Sequence, residues 1–437
     1  MTLRIFDTLS GTRVPLKPII PGHVKIYVCG PTVYDDPHPG HGRNAVVFDV
    51  VARYLKARGN RVTLIRNLTD IDDKIVQKSR RLRQDYRILA NRYIDRYRKT
   101  MQRLDVAPPD AEPRATAFIP QMQDLIARLI QKGHAYRDGG DVYFAVDSFN
   151  GYGRLSGRTH RLQSAYGQAP THQGKRHPAD FALWKTAAPQ APSWPSPWGP
   201  GRPGWHIECS TMSAALLGDV FDIHGGGADL IFPHHENEIA QSESVTGKTP
   251  ANCWMHHGLL TAGGHKISKS QANAMKLADL LDSYPPGAVR LFLLSRRYRH
   301  PLALSHRSLD AATQSFTRLQ RFFARFCQSA ASPAKMGKGH GGLWFRFCDA
   351  MDDDFNFPRA LSVIFEGVRH INRHLCNGAS GQALDRAQSL KCLAGELFFM
   401  CQAILGLRFD PVAGETAPAD RVQHRYPCRH PVAFRGP

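Results

Sequence analysis

The chain has 437 residues, with 57 Lys or Arg against 37 Asp or Glu, so it carries a formal charge of +20 at pH 7 with its 21 histidines neutral. At 42% hydrophobic residues it has the apolar material for packed cores, which excludes a disordered or collagen-like chain. The length predicts roughly two to four domains, and the charge points either to an anionic partner, because Lys and Arg that neutralise phosphates release counterions, or only to solubility. No window approaches the roughly 20 consecutive apolar residues of a membrane helix. The opening MTLRIFDTLSGTRVPLK lacks a signal-peptide apolar stretch, so the cytoplasm is the expected location and no membrane partner is expected. Cysteines fall at 29, 209, 253, 327, 348, 376, 392, 401 and 428, an odd count with no Cys-x-x-Cys. That argues against a secreted disulfide scaffold and for buried thiols.

Along the chain, VKIYVCG (24–30) reads as a buried strand, GRNAVVFDVVARYLKAR (42–58) as a helix stopping at Gly59, and RVTLIRN (61–67) as a second strand. This is a βαβ unit with a parallel sheet, whose ligands bind at the carboxyl ends of the strands, just after residue 30. Lys78 to Arg103 reads as one helical stretch with ten Lys or Arg and only Asp85 and Asp95 as acids, either a solvated face or a phosphate-facing one. A helix at 118–132, a strand at 141–146 and a Pro- and Gly-rich loop at 186–204 make a block that resembles an insertion into one sheet domain. Strand-like runs resume at FDIHGGG (221–227) and CWMHHGLL (253–260), followed by the loop TAGGHKISKSQAN. From about 306 to Leu407 the pattern is helical, broken at 331–342, and reads as a bundle. Arg296 to Arg325 hold seven arginines and one acid, Asp310, a second candidate backbone-contact surface. The last thirty residues show no period and several prolines, as in a poorly ordered tail.

Two short motifs carry chemistry. In PTVYDDPHPGHGRNA (31–45), His38 and His41 stand three apart at the start of a helix, with Gly40 between them. Imidazoles and backbone N–H groups at that positive end suit triphosphate oxygens, and Gly40 lets a nucleotide approach the backbone. In KISKS (266–270), Lys266 and Lys269 flank a serine in a Gly-rich loop, where two ammonium groups can neutralise a pyrophosphate as charge develops. Each motif alone is weak; the two at the ends of a split sheet domain are stronger.

Together these elements resemble the two signatures of class I aminoacyl-tRNA synthetases. YVCGPTVYD (27–35), RNLTDIDDKI (66–75), WPSPWGPGRPGWHIECS (194–210) and FDIHGGGADLIFPHHENEIAQSE (221–243) resemble, more narrowly, cysteinyl-tRNA synthetases, over residues 3 to about 407. The resemblance implies an α/β fold: a Rossmann-type parallel-sheet catalytic domain in two halves, 1–117 and 204–260, around a connective insertion at 118–203. A KISKS loop and stem-contact region (261–305), an α-helical bundle (306–407) and an irregular tail (408–437) would follow, with the family's anticodon-reading domain missing.

The resemblance also implies a zinc ion held by Cys29, Cys209, His234 and Glu238. Spacing alone makes a poor zinc site, with Cys29 and Cys209 far apart in the chain and buried free thiols as the alternative. His234 and Glu238, four apart, would share one face of a helix starting after Pro233. A soft thiolate binds zinc at about 2.3 Å whereas a neutral hydroxyl competes poorly, so the metal would tell cysteine from serine. Trp205 would wall the side-chain pocket, Thr69 would lie near the amino acid and Asp229 would accept from its ammonium group.

The implied reaction is that of a cysteine–tRNA ligase. Cysteine carboxylate attacks the α-phosphate of ATP, accompanied by Mg2+, to give cysteinyl-adenylate and pyrophosphate, and tRNA(Cys) then takes the acyl group. His38, His41, Lys266 and Lys269 act by positioning and charge stabilisation, and a monomer is expected. Two departures stand out: Pro39 replaces a larger apolar residue in the first signature, removing an N–H beside the nucleotide, and the tail after Leu407 is unlike the family. They leave open a ligase that passes activated cysteine to a small amine, and a weakened tRNA-binding paralogue.

Overall fold

The computed structural model describes residues 2–158, 174–262, 265–266, 275–327, 342–376 and 383–409. It opens with a hairpin absent from the sequence expectations, β1 (Arg4–Asp7) and β2 (Thr12–Pro15). The Asp7 carboxylate fastens it by accepting from the backbone N–H groups of Leu9, Ser10 and Trp254.

The βαβ unit follows as β3 (His23–Val28), α1 (Pro39–Ala57) and β4 (Arg61–Arg66), with β3 and β4 parallel. Val46, Val47, Val50, Val51 and Leu55 of α1 are buried; each such aliphatic side chain removed from water contributes about 1.5–3 kcal/mol.

The basic stretch beyond β4 forms two helices rather than one, α2 (Asp73–Leu82) and α3 (Tyr86–Arg103). Arg83 adopts a left-handed φ of 49° that ends α2, and the Asp85 side chain restarts the chain by capping the Arg87 N–H. Four of the run's ten cations are paired within the molecule: Lys78 with Asp35, Arg96 with Asp36, Arg98 with Glu112 and Arg103 with Asp282, at 2.7–3.2 Å.

After α4 (Ile119–Gln131) comes an antiparallel sheet of β5 (Ala135–Asp138), β6 (Asp141–Phe144), β7 (Phe181–Thr186) and β8 (Gly201–Pro203) in sequence order. Residues 186–204 are therefore not a loop throughout, because Gly201–Pro203 pairs with β7.

Helix α5 (Trp205–Leu217) returns the chain to the parallel sheet, completed by β9 (Phe221–Gly227), α6 (Glu236–Thr246) and β10 (Ala251–His257). The order is β10-β9-β3-β4, parallel throughout. All seven residues of β9 are buried, and α1 lies directly on it: a Cβ at Gly225 would stand 2.2 Å from the Phe48 ring.

Short elements β11 (Leu260–Ala262), β12 (His265–Lys266), α7 (Leu277–Ser283), α8 (Pro286–Leu293) and β13 (Leu302–Ala303) lead to the helical region. Its helices are α9 (His306–Cys327), α10 (Gly342–Asp352), α11 (Phe357–Cys376) and α12 (Ala383–Phe399). Arg290 of α8, fully buried, ties it to the catalytic half: it pairs with Asp49 of α1 and donates to the carbonyls of Leu104 and Leu405. Phe409 stacks on Phe316 of α9, so the packed region runs past Leu407, and the tail beyond 409 lies outside the described residues. Among the described residues no helix is long and apolar enough to cross a membrane.

Candidate active site

The carboxyl ends of the four parallel strands and the first turn of α1 open on one edge of the sheet, where ligands bind in folds of this kind. Cys29 extends β3 there, its N–H donating to Gly225 and its carbonyl accepting from the Asn44 side chain. Cys209 comes from α5 and Glu238 from the first turn of α6. Phe232 has extended φ/ψ, and beyond it helical backbone runs through His234 and His235 into α6, which begins at Glu236, as expected of a helix starting after Pro233. His234 meets its partner, Nε2 lying 3.1 Å from Glu238 Oε1.

The four donor atoms of Cys29, Cys209, His234 and Glu238 lie within 4.8 Å of one another. The two sulfurs are 3.6 Å apart, and Cys29 Sγ is 3.6 Å from Glu238 Oε1. A disulfide needs about 2.05 Å, whereas thiolates at about 2.3 Å and an oxygen at about 2.1 Å on one tetrahedral cation stand roughly 3.6–3.8 Å from each other. The donor set therefore fits a metal ion.

Burial pushes the Cys29 thiol well above the ordinary range. At Cys209 the hydrogen bond with Cys29 works downward, but burial and the nearby Glu238 leave the thiol raised. Burial works upward on Glu238 too, yet His224 and His234 outweigh it and hold the carboxyl below its usual value. Protons would leave both thiols as a cation enters.

Sequence reasoning missed the groups around these donors. His224 Nε2 is 2.7 Å from Glu238 Oε2, and His235 Nε2 is 3.3 Å from Cys29 Sγ. Cys29, His224, His235 and Glu238 form a second compact donor set. His235 continues to His256 (2.8 Å) and His256 to the Thr8 hydroxyl (2.7 Å). Burial pushes His206, His234 and His256 down to about 3 and His257 to about 4, so these four imidazoles are neutral at pH 7. The only sequence signal was the density of histidines in the quoted segments.

At the start of α1, His38 is the N-cap and Pro39 the first helical residue, where a missing N–H costs no hydrogen bond. His38 Nδ1 accepts from the Gly40 N–H and His41 Nδ1 from the His38 N–H, each at 3.1 Å, with the rings 3.8 Å apart. The Gly40 N–H expected to face a ligand is thus engaged by His38. Gly40 is also dictated by that imidazole, since a Cβ there would lie 2.7 Å from His38 Cε1.

Of the expected substrate contacts, Trp205 is 38% exposed and stacks on His234 at 4.3 Å, lining a cavity of about 550 Å3 with His206, Lys185 and Arg202. Thr69 is buried and donates to Glu208 at 2.8 Å. Asp229 is exposed just beyond β9, beside Gly227. Lys266 lies in β12, paired with Thr261, and Lys269 is outside the described residues.

Residues 15–314 match the tRNA synthetases class I (C) catalytic domain and residues 346–409 the DALR domain. The cysteine–tRNA ligase of Desulfotalea psychrophila is 47% identical over 381 residues, spanning 85% of this chain and 78% of that protein. The cysteine–tRNA ligase of Alkalilimnicola ehrlichii is 50% identical over 372 residues, spanning 85% and 80%. The chain belongs to the cysteine–tRNA ligase family. Membership makes it a class I synthetase and a ligase enzyme, as its motifs implied. The fold of this cysteine–tRNA ligase family member agrees with solved relatives. Mycobacterium tuberculosis methionyl-tRNA synthetase, in complex with methionyl-adenylate, superposes with a TM-score of 0.60 at 18% identity over 87% of this chain and 89% of that one. A putative arginyl-tRNA synthetase from Campylobacter jejuni gives 0.58 at 12% identity over 89% and 94%.

Proposed function

We propose that the chain activates L-cysteine with ATP and transfers it to tRNA(Cys), with a zinc ion selecting the substrate by its thiol. The observation that carries this reading is the convergence of Cys29, Cys209, His234 and Glu238, drawn from three stretches of chain, on the sheet edge that also holds the His38–His41 turn. Zinc bound by these four residues supplies a soft acid that prefers sulfur to oxygen.

Around it, Trp205 walls the side chain of cysteine, Thr69 lies beside the amino acid and Asp229 accepts from the ammonium group. The cysteine carboxylate oxygen attacks the α-phosphorus of ATP and the bond to pyrophosphate breaks. His38, Gly40 and His41 hold the phosphates at the positive end of α1, and Lys266 and Lys269 neutralise the departing charge. Mg2+ enters with ATP on phosphate oxygens. The terminal ribose hydroxyl of tRNA then attacks the acyl carbon, AMP leaves, and the hydroxyl proton passes to solvent. Pro39 at the first helical position supports an intact nucleotide turn, because that position donates no helical hydrogen bond. The reading includes a monomer acting in the cytoplasm.

Purified protein assayed for cysteine-dependent pyrophosphate exchange and for charging of total tRNA tests it. Both activities are expected. Exchange without charging would move the acceptor to a small amine, and absence of both would leave a binding protein.

A further inference from the structure

Both basic runs are partly matched by acids. In the first, four of the ten cations pair with carboxylates, as described above. In the second, Arg297 pairs with Asp353 and Arg299 with Asp354. Arg318, Arg321 and Arg325 are exposed, and among the described residues none of the three has an acidic partner.

These three follow one another at spacings of 3 and 4 along α9, so their side chains leave the same face. The opposite face is the buried one, carrying Leu309, Ala312, Phe316, Leu319 and Phe323. The row borders a groove of about 490 Å3 whose other walls include Thr317, Phe322 and, from α11, Asn372. No acid lines it. The neighbouring groove on α11 differs: there Glu366 pairs with Arg346. From Arg318 to Arg325 the row extends about 10 Å at 1.5 Å per residue. Like charges this close on one helix face repel, and an anion with several charges in a line relieves that repulsion.

We infer that the arginine row Arg318–Arg321–Arg325 is a docking surface for the sugar-phosphate backbone of the acceptor RNA. The inference rests on the tRNA reading above and adds a place on the molecule where the RNA is held. Guanidinium forks take phosphate oxygens in pairs, and the uncharged Thr317 and Asn372 suit ribose hydroxyls. The surface reads no bases; it sets affinity and its salt dependence.

The test is a salt titration of total-tRNA binding to the full chain, wild type against the triple variant Arg318→Gln, Arg321→Gln, Arg325→Gln. The log–log salt slope should fall by about two to three, and binding near 0.1 M salt should weaken at least about tenfold. The tRNA KM should rise with little change in kcat, and pyrophosphate exchange, which uses no tRNA, should stay within about twofold. A charge-matched triple elsewhere, Lys56→Gln, Arg61→Gln, Arg137→Gln, should change the slope far less. An unchanged slope in the first triple, or equal loss in both, overturns the surface. A wild type that neither binds nor charges tRNA overturns the underlying reading instead.

Discussion

His224 holds one oxygen of Glu238: its Nε2 lies 2.7 Å from Oε2, while Oε1 is left 3.1 Å from His234 and 3.6 Å from Cys29. A carboxylate gripped in this way meets a cation with a single oxygen. His224→Ala should free Glu238 to rotate and weaken metal retention by about 10–100-fold. Competition with a chelator, read as bound metal per chain, measures this directly; undiminished retention would remove His224 from the site.

Cys209→Ser replaces a soft thiolate with a hydroxyl that binds zinc poorly. The variant should lose most of its metal, and cysteine-dependent exchange should drop by roughly a hundredfold or more, beyond the effect of disturbing a supporting residue. Elemental analysis beside the exchange assay checks both halves. A metal-free wild type with full activity would contradict the metal assignment.

Gly40→Ala tests the first turn of α1. The new methyl must displace the His38 imidazole, whose Cε1 would lie 2.7 Å away, and with it the cap on the Gly40 N–H. A lost cap costs about 0.5–2 kcal/mol of helix stability. Exchange should slow at least tenfold through the ATP dependence, with cysteine binding held. Normal ATP kinetics would separate His38 from the nucleotide.

The junction of the catalytic half with the helices predicts a stability effect. Asp49→Ala leaves the Arg290 guanidinium buried without its carboxylate, a change that costs about 3–5 kcal/mol in buried pairs. The guanidinium chloride midpoint should fall accordingly; a shift worth under about 1 kcal/mol would show that the Leu104, Asp105 and Leu405 carbonyls hold Arg290 without Asp49.

Periodic segments were the legible part of the fold. α1 and the strands β3, β4, β9 and β10 were readable because apolar runs and spacing report burial directly. The β1–β2 hairpin, β7 and β8 were not, since short strands of mixed polarity owe their existence to partners elsewhere in the chain. The same limit hid the break at Arg83, a matter of one residue's backbone conformation, and the pairing of Arg96 and Arg98 with Asp36 and Glu112. At the site, Cys29 and Cys209 stand 180 residues apart, so their meeting followed from family motifs and not from spacing. The Thr8–His256–His235 chain needs three separate segments in space, and no local pattern encodes it.

The distance along the chain between the two sulfur donors has a consequence for biosynthesis. At about 5–20 residues per second of translation, Cys209 is made roughly 10–40 s after Cys29, and Glu238 later still. Throughout that interval the first thiol is without the partners that would shield it from oxidation or from stray soft cations. A cation held by all four donors can be gripped only once Glu238 has been made, and until then the Cys29 thiol depends on the reducing power of its surroundings and not on the fold.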